Sequence, residues 1–144
     1  MLHTIFLYIH ILSAVISIGP LVSLIPITKK METADEKVMC GYVQSFKTAI
    51  TVVKHGGHVL VLSGAALIFV SGWTWTTSWV VLTILIMVLS IVFLASAFKP
   101  TLKTFGTPEY NKEEFIVKLR KATWKYIILL LIMLWLMVDK PMLW

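Results

Sequence analysis

Four long apolar stretches divide the chain, and short polar or basic segments separate them. Residues 2–27 contain no Lys, Arg, Asp or Glu, residues 49–72 contain only Lys54, and residues 79–98 are uncharged. Each of these three exceeds the roughly 18 residues that mark a membrane-spanning helix, because a hydrocarbon core of about 30 Å needs about 20 helical residues. A fourth stretch is uncharged and apolar on every side only over residues 126–138, and it reaches spanning length when extended to residue 144, with Lys125 and Lys140 extending to the headgroups. It is therefore predicted to cross the membrane as well.

The composition supports this prediction. Of the 144 residues, 58% are hydrophobic and only 14% are charged, whereas soluble domains are roughly 45–50% apolar and about 25% charged. A fold of this length has too little interior to bury so much apolar sequence, and the length suits one domain. We therefore predict an all-α integral membrane four-helix bundle, with residues 1–144 forming a single transmembrane domain. The one cysteine, Cys40, excludes an intramolecular disulfide bond.

The basic residues predict an orientation. Twelve of the 13 Lys and Arg side chains lie in residues 28–54 and 99–125, the connections after the first and third spans. The positive-inside rule places these connections in the cytoplasm and both termini outside. The net charge of +6 then indicates attraction to anionic lipid headgroups and not to nucleic acid. Within the second connection, Thr107 and Pro108 predict the start of an amphipathic cytoplasmic helix, residues 108–125, that continues into the last span.

The candidate chemistry lies in the histidines, because all four are in or beside the first two spans: His3, His10, His55 and His58. An ionisable side chain inside a membrane is costly and by default functional. The first two histidines are seven residues apart and share a helix face to within about 20°. The last two are three residues apart and project to one side of the second helix.

Small residues accompany the second pair, since Gly56 and Gly57 lie between the two histidines and Ser63–Ala66 follow. One interpretation is close helix packing, with the imidazoles hydrogen-bonded across the interface. The other is space for a planar cofactor, with imidazole as an axial ligand to haem iron. The second interpretation predicts haem b, with these residues as its binding site: His10, His55, His58, His3 and Lys54. The iron ligands would come from His10, His55 and His58, and Lys54 would face a haem propionate or extend to the headgroups.

The predicted depths of the histidines in the membrane argue against one iron shared by the first two helices. Counting at about 1.5 Å per residue, His10 and His58 differ in predicted height by about 10–15 Å. Two separate sites are the alternative, an outer one with His3 and His10 and an inner one with His55 and His58.

Three classes of function follow from these residues. The first is a membrane cytochrome b-like protein in electron transfer or haem-linked oxidoreductase chemistry, with a quinone or another membrane redox partner. The second is a copper-handling membrane protein, since imidazole suits copper, although the methionines at 87, 133 and 137 are scattered and typical of ordinary packing. The third is an assembly or scaffold protein whose histidines only form hydrogen bonds. The short fourth span, with Asp139 near its end, favours a homo-oligomer.

Residues 6–20, FLYIHILSAVISIGP, resemble the first helix of small bacterial membrane proteins of unknown function with four or more spans. Those proteins are related to the CopD-like copper-resistance membrane domain and, more distantly, to the HemJ-type protoporphyrinogen oxidases. The resemblance implies a multi-pass protein of the bacterial cytoplasmic membrane, with either haem b held by His10 or copper handling. HemJ-type enzymes are expected to carry basic residues in the third span, whereas residues 80–98 have none before Lys99. Protoporphyrinogen oxidation is therefore not expected here.

Overall fold

The computed structural model describes all 144 residues as helices joined by short turns, with no strand. The four long helices are α1 (Leu2–Met31), α2 (Glu36–Ser71), α3 (Ser78–Lys103) and α4 (Lys112–Asp139). By length and composition, each is long and apolar enough to cross a membrane. The predicted all-α four-helix membrane bundle is confirmed.

Two helices begin at caps that the apolar stretches do not indicate. The carboxylate of Asp35 accepts a hydrogen bond from the Val38 N–H (2.9 Å), so α2 starts in the polar segment well ahead of its apolar part. Asn111 caps α4 in the same way. The predicted cap at Thr107 is wrong, because its hydroxyl instead donates to the Thr104 carbonyl (2.6 Å) in a turn. The predicted continuation of this basic segment into the last span is confirmed, but the helix begins at Lys112 and not at residue 108.

The bundle is open along one side. Helix α1 packs along α2, and α4 packs against both α1 and α3. Helices α2 and α3 are consecutive in the chain, but their backbones do not pack along each other. They meet through side chains at one end, where the ring centres of Phe46 and Phe98 are 5.9 Å apart. This leaves a groove, here called the cleft, whose walls are α2 and α3 and whose floor is formed by α1 and α4.

One end of the bundle, here called the basic end, is closed by a packed core. Met31 of α1, Phe46 of α2 and Leu119 of α4 are fully buried there. Arg120 of α4 forms an ion pair with Glu32 at the end of α1. At the other end, the terminal end, short polar contacts hold the last residues against the turn between α2 and α3. There the Trp144 indole N–H donates to the Thr76 carbonyl (3.0 Å), and the Leu143 N–H donates to the Ser78 hydroxyl (2.9 Å).

Helix α3 changes geometry near the basic end. Its residues Leu94–Phe98 form a π-helical turn, and Pro100 follows. Proline has no N–H to donate to the carbonyl four residues earlier, so the regular α-helical ladder is interrupted there. Such π turns are frequent at functional sites, and this one lies against the cleft.

Candidate functional site: two cavities in one cleft

The cleft contains two adjoining cavities, one toward each end of the bundle. The terminal cavity, which His10 lines, has a volume of about 730 Å³. The basic cavity, which His58 lines, has a volume of about 540 Å³. Leu60, Met87 and Met133 line both. Both volumes lie within the roughly 300–1,000 Å³ typical of small-molecule sites, and both linings are mainly apolar.

Hydrogen bonds from α2 fix the orientation of the His10 ring in the terminal cavity. Its Nδ1 lies 3.1 Å from the Leu60 carbonyl oxygen and 3.0 Å from the Ser63 hydroxyl. A carbonyl oxygen only accepts, so in the neutral ring the bond to Leu60 requires the proton on Nδ1 and leaves Nε2 with a lone pair. In the other tautomer, the Ser63 hydroxyl donates to Nδ1 and Nε2 carries the proton. Metal-binding histidines are commonly held in this way, with the second nitrogen donating to a backbone carbonyl.

The other ring nitrogen of His10 faces a sulfur atom. Its Nε2 lies 3.4 Å from Sδ of Met137, near the end of α4. A thioether sulfur is a weak hydrogen-bond acceptor. The contact is therefore an N–H···S hydrogen bond when Nε2 carries the ring proton, and two electron-pair donors face each other when Nδ1 carries it. Imidazole and thioether are both ligands to haem iron and to copper, and a metal ion would join the two atoms.

Gly64 makes room for this histidine. A Cβ atom added at Gly64 would lie 3.0 Å from Cε1 of His10, whereas one at Gly57 would meet nothing within 4 Å. Gly56 serves close packing, because a Cβ there would lie 2.8 Å from the Ser17 hydroxyl of α1. The small residues of α2 thus support the first interpretation of the sequence, close packing with a hydrogen-bonded imidazole, while the room for a cofactor lies in the cleft.

The rim of the terminal cavity combines aromatic rings with a cation. Lys140 Nζ lies 5.7 Å from the ring centres of both Trp73 and Trp79. The indole N–H of Trp79 is buried and has no hydrogen-bond partner, although buried indole N–H groups usually find one. An unsatisfied donor and a lysine therefore lie at the same end of an apolar cavity.

The basic cavity has a different set of polar groups. Lysines from both walls line it: Lys47 and Lys54 of α2, and Lys99 and Lys103 of α3. No aspartate or glutamate lines the cavity. Ser17 of α1 also lines it, and its hydroxyl is buried without a partner.

The structure separates the predicted site residues. His3 and His10 line the terminal cavity, whereas His58 and Lys54 line the basic cavity and His55 lines neither. The rings of His55 and His58 lie edge to face with centres 6.1 Å apart, and both face outward from the bundle. No group of three or more His, Cys, Asp or Glu side chains is placed to hold a metal ion. The arrangement offers no shared iron between His10 and His58.

Two residues of the terminal cavity were not expected from the sequence. The methionines of the spans are typical of packing, and a tryptophan such as Trp79 is typical of a membrane interface, so neither residue stands out in the sequence. The spacing of Met133 and Met137, one helical turn apart, was the available signal for a methionine face. Comparison of the chain with protein-family models, with curated proteins and with solved structures finds no match.

Proposed function

We propose that this chain is a haem b-binding membrane protein, with the haem in the terminal cavity and His10 as its axial ligand. The observation that carries this proposal is the His10 ring in the lining of the larger apolar cavity, with Nδ1 against the Leu60 carbonyl and Nε2 against the thioether of Met137. That hydrogen bond fixes the ring and raises its basicity as a ligand. The apolar walls would exclude water from the iron.

The remaining groups of the terminal cavity suit haem. Haem propionates are anionic acceptors, and the rim offers Lys140 and the unsatisfied indole N–H of Trp79. Lys140 therefore replaces Lys54 as the proposed propionate partner, since Lys54 lines the other cavity. Met137 would offer a thioether to the iron beside His10, and its flexible side chain can move to admit the group.

When bound, the iron supplies one-electron redox chemistry. The chain itself holds the ligand nitrogen, offers a thioether and keeps the site dry, and these conditions suit electron transfer with a quinone or another membrane partner. By the positive-inside rule, the basic end would face the cytoplasm of a bacterial cell and the terminal cavity would lie toward the outer side. The first-span resemblance to HemJ-type proteins agrees with haem binding, whereas protoporphyrinogen oxidation is not proposed.

Copper is the second candidate, and the observation that favours it is the pairing of an imidazole with a thioether, since Nε2 of His10 and Sδ of Met137 lie 3.4 Å apart. Thioethers select Cu(I), and Met87 and Met133 line the same cavity. The CopD side of the first-span resemblance agrees with this alternative.

Visible spectra of the purified protein would test the proposal. The protein would be prepared in mild detergent from haem-replete cells, and spectra would be recorded oxidised and dithionite-reduced, with pyridine haemochrome and metal analysis. We expect a Soret band and sharpened reduced α and β bands at about one haem per chain, because there is one terminal cavity. A colourless sample with copper would replace haem by the second candidate. A colourless sample without metal would leave His10 as a hydrogen-bonding residue of a scaffold.

A further inference from the structure

We propose that the basic cavity is a binding site for one anionic, phosphate-bearing lipid. Its headgroup would lie among Lys47, Lys54, Lys99 and Lys103, and one acyl chain would lie in the apolar part of the cavity. This site does not depend on haem in the terminal cavity.

Charge complementarity is the first argument. The four lysines come from both walls of the cleft, and none forms a salt bridge, since the two salt bridges of the protein are Lys118–Glu114 and Arg120–Glu32. No acidic residue lines the cavity. Lysine ammonium groups bind phosphate as point charges. Four lysines that form no salt bridge therefore line one groove.

The depth of the lysines is the second argument. At about 1.5 Å per residue, Lys54 lies about 26 Å along α2 from Ser71, and Lys99 lies about 32 Å along α3 from Ser78. A hydrocarbon core is about 30 Å thick. The two side chains are therefore near the level where lipid headgroups begin, and Lys47 and Lys103 lie beyond it.

The lining of the cavity is the third argument. Ile50, Leu60 and Leu130 contribute apolar surface from α2 and α4, and the π-helical turn of α3 contributes Leu94 and Phe98. An acyl chain matches such a lining, whereas free phosphate uses none of it. The Ser17 hydroxyl, on a residue that is only 2% exposed, has no partner.

Native mass spectrometry of the detergent-solubilised full chain would test the proposal. The probes are dioleoyl phosphatidylglycerol, dioleoyl phosphatidylcholine and inorganic phosphate, titrated separately. We expect one phosphatidylglycerol per chain to bind in preference to the other two. In the double variant K54Q/K99Q its affinity should fall about 25-fold, because each lysine near an anionic headgroup contributes about a factor of five.

Matched variants make the result decisive. The double variant K29Q/K30Q removes the same charge from exposed residues of the same end that do not line the cavity, and K54R/K99R keeps the charge, so both should bind like the parent chain. The variant A95W, which fills the cavity from α3, should lose phosphatidylglycerol while circular dichroism shows the helices intact. An equal loss in K29Q/K30Q, equal binding of phosphatidylcholine, or binding of phosphate as tight as that of the lipid would overturn the proposal. So would loss of bound haem in K54Q/K99Q, since it would make this cavity the haem site.

Discussion

The two ends of the cleft are made by the same helices but carry opposite polar chemistry. The terminal cavity offers electron-pair donors, with His10 and Met137 3.4 Å apart. The basic cavity offers four lysines and no carboxylate. In each cavity, one buried polar atom lacks a partner, the indole nitrogen of Trp79 at the terminal end and the Ser17 hydroxyl at the basic end. A few polar positions on apolar helices thus give the two ends of one groove different sets of polar groups.

The ends also differ in how firmly the helices around them are held. At the basic end, Lys112 of α4 donates to the Ala34 carbonyl between α1 and α2 (2.6 Å), and a packed core lies beneath. At the terminal end, α4 stops at Asp139 and hydrogen bonds of the last few residues fix it to the turn. Met137 lies on the last helical turn before this junction. Met137 therefore lies at the less constrained end, which would suit a side chain that has to move to admit the proposed metal.

The largest expected difference between the cavities is in cofactor binding by the two histidines. In the variant H10A, bound haem should fall to the background level. The reason is that His10 is the only histidine of the terminal cavity whose ring is fixed by a hydrogen bond at Nδ1. The variant H58A should bind haem like the parent chain, because His58 lines the other cavity. Haem per chain by pyridine haemochrome measures both. The reverse result would transfer the haem to the basic cavity.

A smaller effect is expected from the thioether. The variant M137L keeps the volume of the side chain but removes the sulfur, so haem should stay bound while the reduced spectrum shifts from six- to five-coordinate iron. The reduction potential should fall, since methionine ligation raises it. The matched control is M142L, because Met142 is 62% exposed and lines neither cavity. An unchanged spectrum and potential in M137L would show that Met137 is not a ligand.

Substitution of two glycines of α2 by alanine is expected to change the stability of the protein in opposite directions. The variant G64A places a methyl group 3.0 Å from the His10 ring, so it should cost about 1–3 kcal/mol of stability by overpacking and weaken haem binding. The variant G57A meets nothing within 4 Å and should stabilise the helix by about 0.5–1 kcal/mol. Thermal unfolding in detergent measures both changes. Equal behaviour of the two variants would mean that His10 does not rest against Gly64.

The sequence predicts the helices well and the cleft poorly, for physical reasons. Apolar stretches long enough to cross a bilayer leave few alternatives to helices, because lipid offers no partner for unpaired backbone groups. The sequence of those stretches does not predict that α2 packs against α1 and not along α3. The cleft is a consequence of that packing arrangement. Counting residues does anticipate the separation of His10 from His58, since helix rise is constant.

The parts of the site that escape prediction are those whose residue types are ordinary in membranes. A methionine or a tryptophan in an apolar stretch is typical of packing or of the interface, so Met137 and Trp79 carry no signal until their neighbours are known. Histidine is rare enough inside a span to be noticed alone. Its hydrogen bond to the Leu60 carbonyl, which orients the ring, depends on the register of α1 against α2 and is visible only in the structure.

The smallest effect is expected from substitution of Trp79. This effect best distinguishes haem from a copper ion as the ligand of the terminal cavity. In W79F the ring is kept and the unsatisfied N–H is removed, so the empty protein should be as stable as the parent or more stable, because an unpaired buried donor costs free energy. Haem affinity should fall about two- to tenfold, since one hydrogen bond to the ligand contributes about 0.5–1.5 kcal/mol.

The control for this prediction is W135F, because Trp135 is 55% exposed on α4 and lines neither cavity. Haem titration and thermal unfolding of both variants give the two quantities separately. A copper ion held by His10 and Met137 has no acceptor group that reaches the rim. If the ligand is copper, W79F and W135F should therefore bind copper with the same affinity. Weaker haem binding in W79F, with unchanged stability of the empty protein, would indicate a ligand that extends from His10 to the rim. Equal affinity in the two variants would indicate a metal ion held beside the histidine.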